Sequence, residues 1–307
     1  MSRQEIVIGT RGSELALAQA RLVQDALQKL NPDLSLRCEI IKTSGDKHLD
    51  KSLQELGKLE KGLFTKELDQ ALLDGRTHIS VHSLKDLPTE RPKEIFQAAM
   101  LPREDWRDVL LTRHAGGIAA LPKGAIIGTG SSRRVLQLLE LRPDLKFFPV
   151  RGNVLTRICK LQDGKENLAG IVLAQAGLKR LGLTPDGERK ILPGNLHWQI
   201  FENILPAPGQ AAIAVETTSE YLESIRKIND PATMQSVSIE RELLALMGGG
   251  CHLALGTIAV CCDDQVHLKA VFSPDENIAL RRAEITFSLR EKHAALSQLA
   301  KTLSKSL

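Results

Sequence analysis

Short apolar runs that stop at glycine or a polar turn alternate with stretches whose apolar residues recur every three to four positions. The first pattern predicts strands and the second helices. Ile6-Val7-Ile8, stopped by Gly9, is a strand. Ser13 then stands where a helix cap belongs, and Leu15, Ala18, Leu22, Val23, Ala26, Leu27 and Leu30 form one helical face. Leu34, Leu36, Cys38 and Ile40 alternate as a second strand. Residues 62–73 read as a helix, and Ile79-Ser80-Val81 as a strand running into Ser83-Leu84-Lys85-Asp86. Pro102-Arg103-Glu104-Asp105 reads as a crossover to a second series, with strands at 125–127, 146–148 and 171–173, each followed by a helix. Leu205-Pro206-Ala207-Pro208-Gly209-Gln210 reads as a return hinge, after which Ala212–Val215 rejoins the first sheet. From Pro231 the pattern changes to one helix (232–246), three strands (257–261, 266–272, 283–287) and a closing helix over 291–305.

This order predicts an α/β chain with two doubly wound lobes and a small α+β domain at the C-terminal end. The expected boundaries are 1–101 with 206–227 for the first domain, 102–205 for the second and 228–307 for the third. A length of 307 residues agrees, being too great for one ordinary core.

Charge narrows the ligand. The chain carries 41 Lys+Arg against 37 Asp+Glu, a net charge of +4, and is only 3% aromatic. That suits an anionic small molecule better than nucleic acid, which asks for a strong basic patch and stacking surfaces. Neither an apolar leader nor a run of the roughly 18 apolar residues that a membrane span needs is expected, so the reading is a cytoplasmic protein. The five cysteines, Cys38, Cys159, Cys251, Cys261 and Cys262, include no Cys-x-x-Cys pair. A disulfide framework and a metal site are therefore not expected.

Ligands of open α/β sheets bind outside the carboxyl ends of the strands, and the cations of this chain recur there. Arg11 and Ser13 follow the first strand. Ser83, Lys85 and Asp86 follow the strand at Val81. Thr129, Ser131, Arg133 and Arg134 follow Ile127, and Arg151 follows Phe148, with Arg157 a turn later. Arg180 comes after the strand at 171–173. Guanidinium forks and helix N-terminal amides both favour carboxylates and phosphates. Gly128-Thr129-Gly130 is not a dinucleotide site, because Arg133 stands where the third glycine belongs. Asp86 is an acid among cations, and a carboxylate there is useful only if the ligand also bears a positive group. Gly248-Gly249-Gly250-Cys251 offers a thiol with space around it; on its own, a cysteine is more often a small buried hydrophobe.

Seven segments in order carry a resemblance. They are Gly9–Ala16, Lys61–Leu68, Val81–Pro88, Gly128–Arg134, Arg151–Arg157, Ala176–Arg180 and Gly249–Cys251. Together they resemble the hydroxymethylbilane synthases, also called porphobilinogen deaminases. The resemblance implies a monomeric cytoplasmic transferase whose first two domains are similar to the lobes of periplasmic binding proteins. It implies a dipyrromethane cofactor joined to Cys251 by a thioether and held by Lys85, Asp86, Thr129, Ser131, Arg133 and Arg134. Arg11, Ser13, Lys61, Arg151, Arg157 and Arg180 would hold the acetates and propionates of porphobilinogen. Asp86 would stabilise the cation left when ammonia departs. The product would be a linear tetrapyrrole of haem biosynthesis, with neither nucleic acid nor membrane as partner. The alternative is a non-catalytic two-lobed receptor for a polyanion. The chain departs from the family pattern at Gly130 (usually Ser), Gly248 (usually Glu), Ala254 (where the proline after the cysteine is missing), Pro208 and Gly57.

Overall fold

The structure is a computed structural model that describes residues 5–44, 65–184, 196–249, 253–275 and 279–304. Lys61 and Cys251 lie outside the described residues.

Sheet one has the order β2-β1-β3-β10-β4, from β1 (Glu5–Thr10), β2 (Ser35–Ile40), β3 (Ile79–Ser83), β4 (Phe96–Met100) and β10 (Ile213–Thr217). Sheet two has the order β7-β6-β8-β5-β9, from β5 (Asp108–Thr112), β6 (Ile126–Gly128), β7 (Lys146–Phe148), β8 (Leu168–Ala174) and β9 (His197–Phe201). The plan is the same in both. Three parallel strands are followed by an antiparallel strand from a distant part of the chain, β10 in one and β5 in the other. An antiparallel strand begins where its parallel neighbours end. Ile213 therefore lies opposite Ser83, and Asp108 opposite Ala174, at the carboxyl edge of each sheet. The third sheet is the antiparallel meander β11 (Ala254–Cys262), β12 (Gln265–Ser273) and β13 (Arg281–Ser288).

Each sheet has its own core. Helix Glu14–Leu30 lays Ala20, Val23 and Leu27 on Ile8, Ile79 and Val215. Leu110, Ile127, Leu138 and Val172 fill sheet two. Leu243, Leu268, Leu296 and Leu299 join the terminal helices to the meander. Each such fully buried aliphatic side chain contributes about 1.5–3 kcal/mol. By compactness the chain forms two units, Met1–Glu104 with Ala211–Ser238, and Asp105–Gln210 with Ile239–Leu307. The second sheet and the meander thus fall in one unit. Thr257 N–H donates to the Pro206 carbonyl (2.9 Å), and Arg282 pairs with Glu140 (2.5 Å).

Three strands differ from the sequence reading. β4, β5 and β9 were not expected; β5 begins on an aspartate directly after a charged stretch. In the first helix Leu22 and Leu30 are exposed while Gln19 is buried, so the buried stripe is narrower than the apolar pattern suggested.

Candidate functional site

In the first unit the turn after β3 presents Lys85 and Asp86. It is a single 3-10 turn, Leu84–Asp86. Leu84 and Leu87 on either side are fully buried against Met100, Ala212 and Ala214, and Leu84 N–H donates to the Ala212 carbonyl at 3.1 Å. With both flanks fixed in the core, Lys85 is left half-buried and Asp86 exposed. Ser13 caps helix Glu14–Leu30 by accepting from Ala16 N–H at 3.2 Å, which leaves Arg11 half-buried at the end of β1. Gln19, buried on that helix, donates to Ser83 Oγ at 2.8 Å and ties it to the end of β3. The sequence reading missed Gln19. A polar residue in the four-residue spacing Leu15, Gln19, Val23, Leu27 was the available signal.

Behind this turn lies a buried charged cluster. Arg91 donates to Asp69 (2.6 and 2.9 Å) and to Glu216 on β10 (2.6 and 2.9 Å). His82, four residues before Asp86, places Nε2 3.4 Å from Glu216 Oε2 without hydrogen-bond geometry. Burial, then the Arg91 charge, lower the His82 pKa to about 4 against the pull of Asp69 and Asp86, so the ring is neutral at pH 7. Two carboxylates against one guanidinium leave this cluster one negative charge. Asp69, His82 and Glu216 also put metal-ligand atoms within 4.8 Å of one another. Arg91 already supplies the positive charge there.

In the second unit Arg133 and Arg134 open helix Ser132–Leu141 and are almost fully buried. Both pair with Asp108, the first residue of β5. Arg134 Nε and Nη2 donate to its two oxygens at 3.1 and 2.7 Å, and Arg134 Nη1 donates to the Val172 carbonyl at 2.9 Å. Arg133 Nη1 lies 2.8 Å from Asp108 Oδ2 and donates to the Leu205 carbonyl at 2.7 Å. Gln210 Nε2 completes the shell at 2.9 Å from Asp108 Oδ1. Burial works against the Asp108 charge, but the two guanidinium groups hold its carboxyl well below the usual range. Burial and the neighbouring Arg134 lower the pKa of Arg133, with Asp108 opposing. Two guanidinium groups against one carboxylate leave one positive charge at the carboxyl edge of the sheet, which calls for an anion. Asp108 was not foreseen. Its only signal was an acid opening the apolar run Val109-Leu110-Leu111.

The remaining expected residues of this unit line the same edge. Thr129 is buried and accepts from Ser131 N–H at 3.3 Å, while the Ser131 side chain makes no cap hydrogen bond to the helix that it precedes. Arg151 follows β7 half-buried. Gly152 has φ +104°, and a Cβ there would lie 2.7 Å from Thr156 Cγ2, so this turn requires glycine. Asn153 then caps helix Val154–Gln162 through Thr156 N–H at 2.8 Å, and Arg157 Nε donates to the Gly152 carbonyl at 2.8 Å. Arg180 lies farther from its strand, on the last residue of helix Gln175–Arg180. Gly130 has open space where a Cβ would sit. Gly248 has φ +98°, a backbone region that a glutamate rarely adopts.

Known proteins resemble the chain over nearly its whole length. The family model "Porphobilinogen deaminase, dipyromethane cofactor binding domain" matches residues 6–226, and "Porphobilinogen deaminase, C-terminal domain" matches residues 234–307. A porphobilinogen deaminase of Lachnospira eligens is 42% identical over 283 residues, 91% of this chain and 92% of the relative. One of Syntrophomonas wolfei is 45% identical over 269 residues, 87% of this chain and 84% of the relative. Among solved structures, the periplasmic aliphatic sulphonate binding protein SsuA from Escherichia coli aligns with a TM-score of 0.39 at 15% identity, over 80% of this chain and 70% of that one. No helix among the described residues is long and apolar enough to cross a membrane.

Proposed function

Because the chain belongs to the porphobilinogen deaminase family, we propose how its own residues divide the work of that family. The activity is the stepwise head-to-tail condensation of four porphobilinogen molecules on a dipyrromethane cofactor. Ammonia leaves at each addition, and water releases the linear tetrapyrrole hydroxymethylbilane. Two family matches that together run from residue 6 to residue 307 leave the receptor alternative without support.

The donor set fits the cofactor. Every pyrrole carries an acetate and a propionate, and the Arg133–Asp108–Arg134 cluster offers an uncompensated positive charge in a buried place. When bound, the dipyrromethane supplies the primer to which substrate is joined. Cys251 would hold it as a thioether; Arg133, Arg134, Thr129, Ser131 and Lys85 would hold its carboxylates, and Asp86 its pyrrole N–H groups. Arg11, Ser13, Lys61, Arg151, Arg157 and Arg180 bind the carboxylates of porphobilinogen and of the growing chain. A hydrogen bond to a charged group contributes about 1.5–3 kcal/mol, so a few of them order a polyanion firmly. Asp86 is the catalytic residue. Its carboxylate stabilises the cation formed as ammonia leaves the substrate and takes part in moving the proton. Three domains, bounded near 101, 206 and 228, carry these roles. The protein works as a monomer in the cytoplasm, with porphobilinogen as its partner and neither nucleic acid nor membrane.

The net positive charge of the Asp108 cluster is the observation that carries this division. Its test is the behaviour of Arg133→Leu, Arg134→Leu, Arg151→Leu and Arg157→Leu by intact mass after brief exposure to porphobilinogen. Each addition brings two more carboxylates, so different arginines serve different chain lengths. Some variants lack the cofactor, and others accumulate enzyme bearing an incomplete chain. A uniform loss of affinity across all four, without stalled covalent species, contradicts the division.

A further inference from the structure

Two residues outside the carboxylate-binding set touch its frame. Gln210 is fully buried, and its amide donates to Asp108 Oδ1 at 2.9 Å and to the Trp106 carbonyl at 2.7 Å. Both acceptors belong to β5 or its approach. Glu240, fully buried on helix Pro231–Leu246, accepts from Gly209 N–H with Oε2 at 2.8 Å and from Ala259 N–H on β11 with Oε1 at 3.0 Å. The segment 205–210 therefore meets the arginine cluster at both ends. At one end the Leu205 carbonyl accepts from Arg133 Nη1, while Gln137 fixes Leu205 through N–H and carbonyl at 2.8 and 3.0 Å. At the other end the Gln210 amide meets Asp108. Glu240 fastens the backbone between them.

We propose that Gln210 and Glu240 are positioning residues that set the direction in which Arg133 and Arg134 present their charge. Asp108 has only two oxygens. Arg134 takes both, Arg133 takes one, and Gln210 takes the remaining direction on Oδ1. With the Gln210 donor gone, Asp108 loses its tie to the 205–210 segment and is held by the two arginines alone, so it no longer fixes their direction against that segment. Glu240 acts one step earlier by holding Gly209, and so the Gln210 backbone, in register with β5. A buried carboxylate bonded to two backbone amides is an expensive way to fix a turn, which argues that the register of this turn matters.

The inference rests on Arg133 and Arg134 holding carboxylates, and the experiment separates the two. Gln210→Met keeps the volume and removes the donor. Apo-protein of Gln210→Met, Glu240→Gln, Arg133→Lys and the double variant Arg133→Lys/Gln210→Met is titrated with porphobilinogen, and the concentration that loads half of the chains with the dipyrromethane increment is read by intact mass. Urea unfolding of each selects the variants that fold. Loss of one bond to a charged group predicts a half-loading concentration raised roughly 10-fold in Gln210→Met, with kcat per loaded chain nearly unchanged because the contact acts on binding. Glu240→Gln moves the half-loading concentration the same way by less. Because Gln210 works through the arginines, the double variant is no worse than Arg133→Lys alone. If Arg133→Lys leaves the half-loading concentration unchanged, the carboxylate-holding reading fails and this inference falls with it. If Arg133→Lys raises it but Gln210→Met matches the wild type, or if the two effects multiply, only the positioning role is overturned. Should Gln210→Met not fold, Glu240→Gln decides in the same way.

Discussion

In sheet one the inserted strand β10 brings Glu216 beneath the turn that presents Asp86; in sheet two the inserted strand β5 brings Asp108 beneath the arginines. The strand order is the same, but the charge is reversed. Glu216 and Asp69 against Arg91 leave one negative charge, and Arg133 and Arg134 against Asp108 leave one positive charge. Asp108 lies at the carboxyl edge of its sheet, opposite Ala174, and Glu216 three positions farther in, opposite Ser80. On the proposed division of work, Asp86, which would meet the cation created at every condensation, belongs with a negative cluster, and the arginines that would hold carboxylates form a positive one. A shared backbone plan thus does not fix the chemistry. Both inserted strands contribute a carboxylate, and the side chains gathered around it, Asp69 and Arg91 in one sheet and Arg133 and Arg134 in the other, set the sign.

The sharpest way to break this contrast is Asp86→Asn, which keeps the shape and removes the charge. Losing preorganised stabilisation of a developing charge costs on the order of 100-fold or more in turnover, while binding of the substrate carboxylates survives. Turnover within a few-fold of wild type would make Asp86 a structural residue. Next in size is Asp108→Asn. It leaves two buried guanidinium groups without their counter-charge, and breaking a buried pair in this way costs about 3–5 kcal/mol. Glu216→Gln costs less, because Arg91 keeps Asp69. Urea unfolding compares the two, and equal losses would remove the proposed asymmetry of charge.

The smallest effect concerns His82. Its folded pKa is lowered to about 4 from an ordinary 6.5, so between those values the unfolded chain binds more protons than the native one. The contribution of His82 is fully present above about pH 6.5 and is lost as the pH falls toward 4. His82→Leu flattens the fall in urea midpoint across that window. An unchanged slope would take His82 out of the acid sensitivity of that window; Asp108 does not act there, because its depressed pKa makes its contribution fade only at lower pH.

What was legible in the sequence followed local signals. Apolar runs ending at glycine marked β1 and β6, period-two alternation marked β2, and cations after strand ends marked Arg11, Lys85, Arg133, Arg134 and Arg151. What was hidden depended on distant partners. Asp108 meets Arg134 across 26 positions, and Arg91 meets Glu216 across 125. Nothing local separates a solvated arginine from one buried on an aspartate. β5 was missed with its aspartate because five buried residues behind a charged crossover show no period. Gln19 was readable as a polar interruption of an apolar face, though its partner Ser83 was not.

The most direct test is the intact mass of the purified protein beside that of Cys251→Ser. The predicted result is a dipyrromethane increment on the wild-type chain, located on the peptide that holds Cys251 and absent from the variant. An unmodified wild-type chain that still condenses porphobilinogen, or a Cys251→Ser chain that still carries the increment, would contradict it.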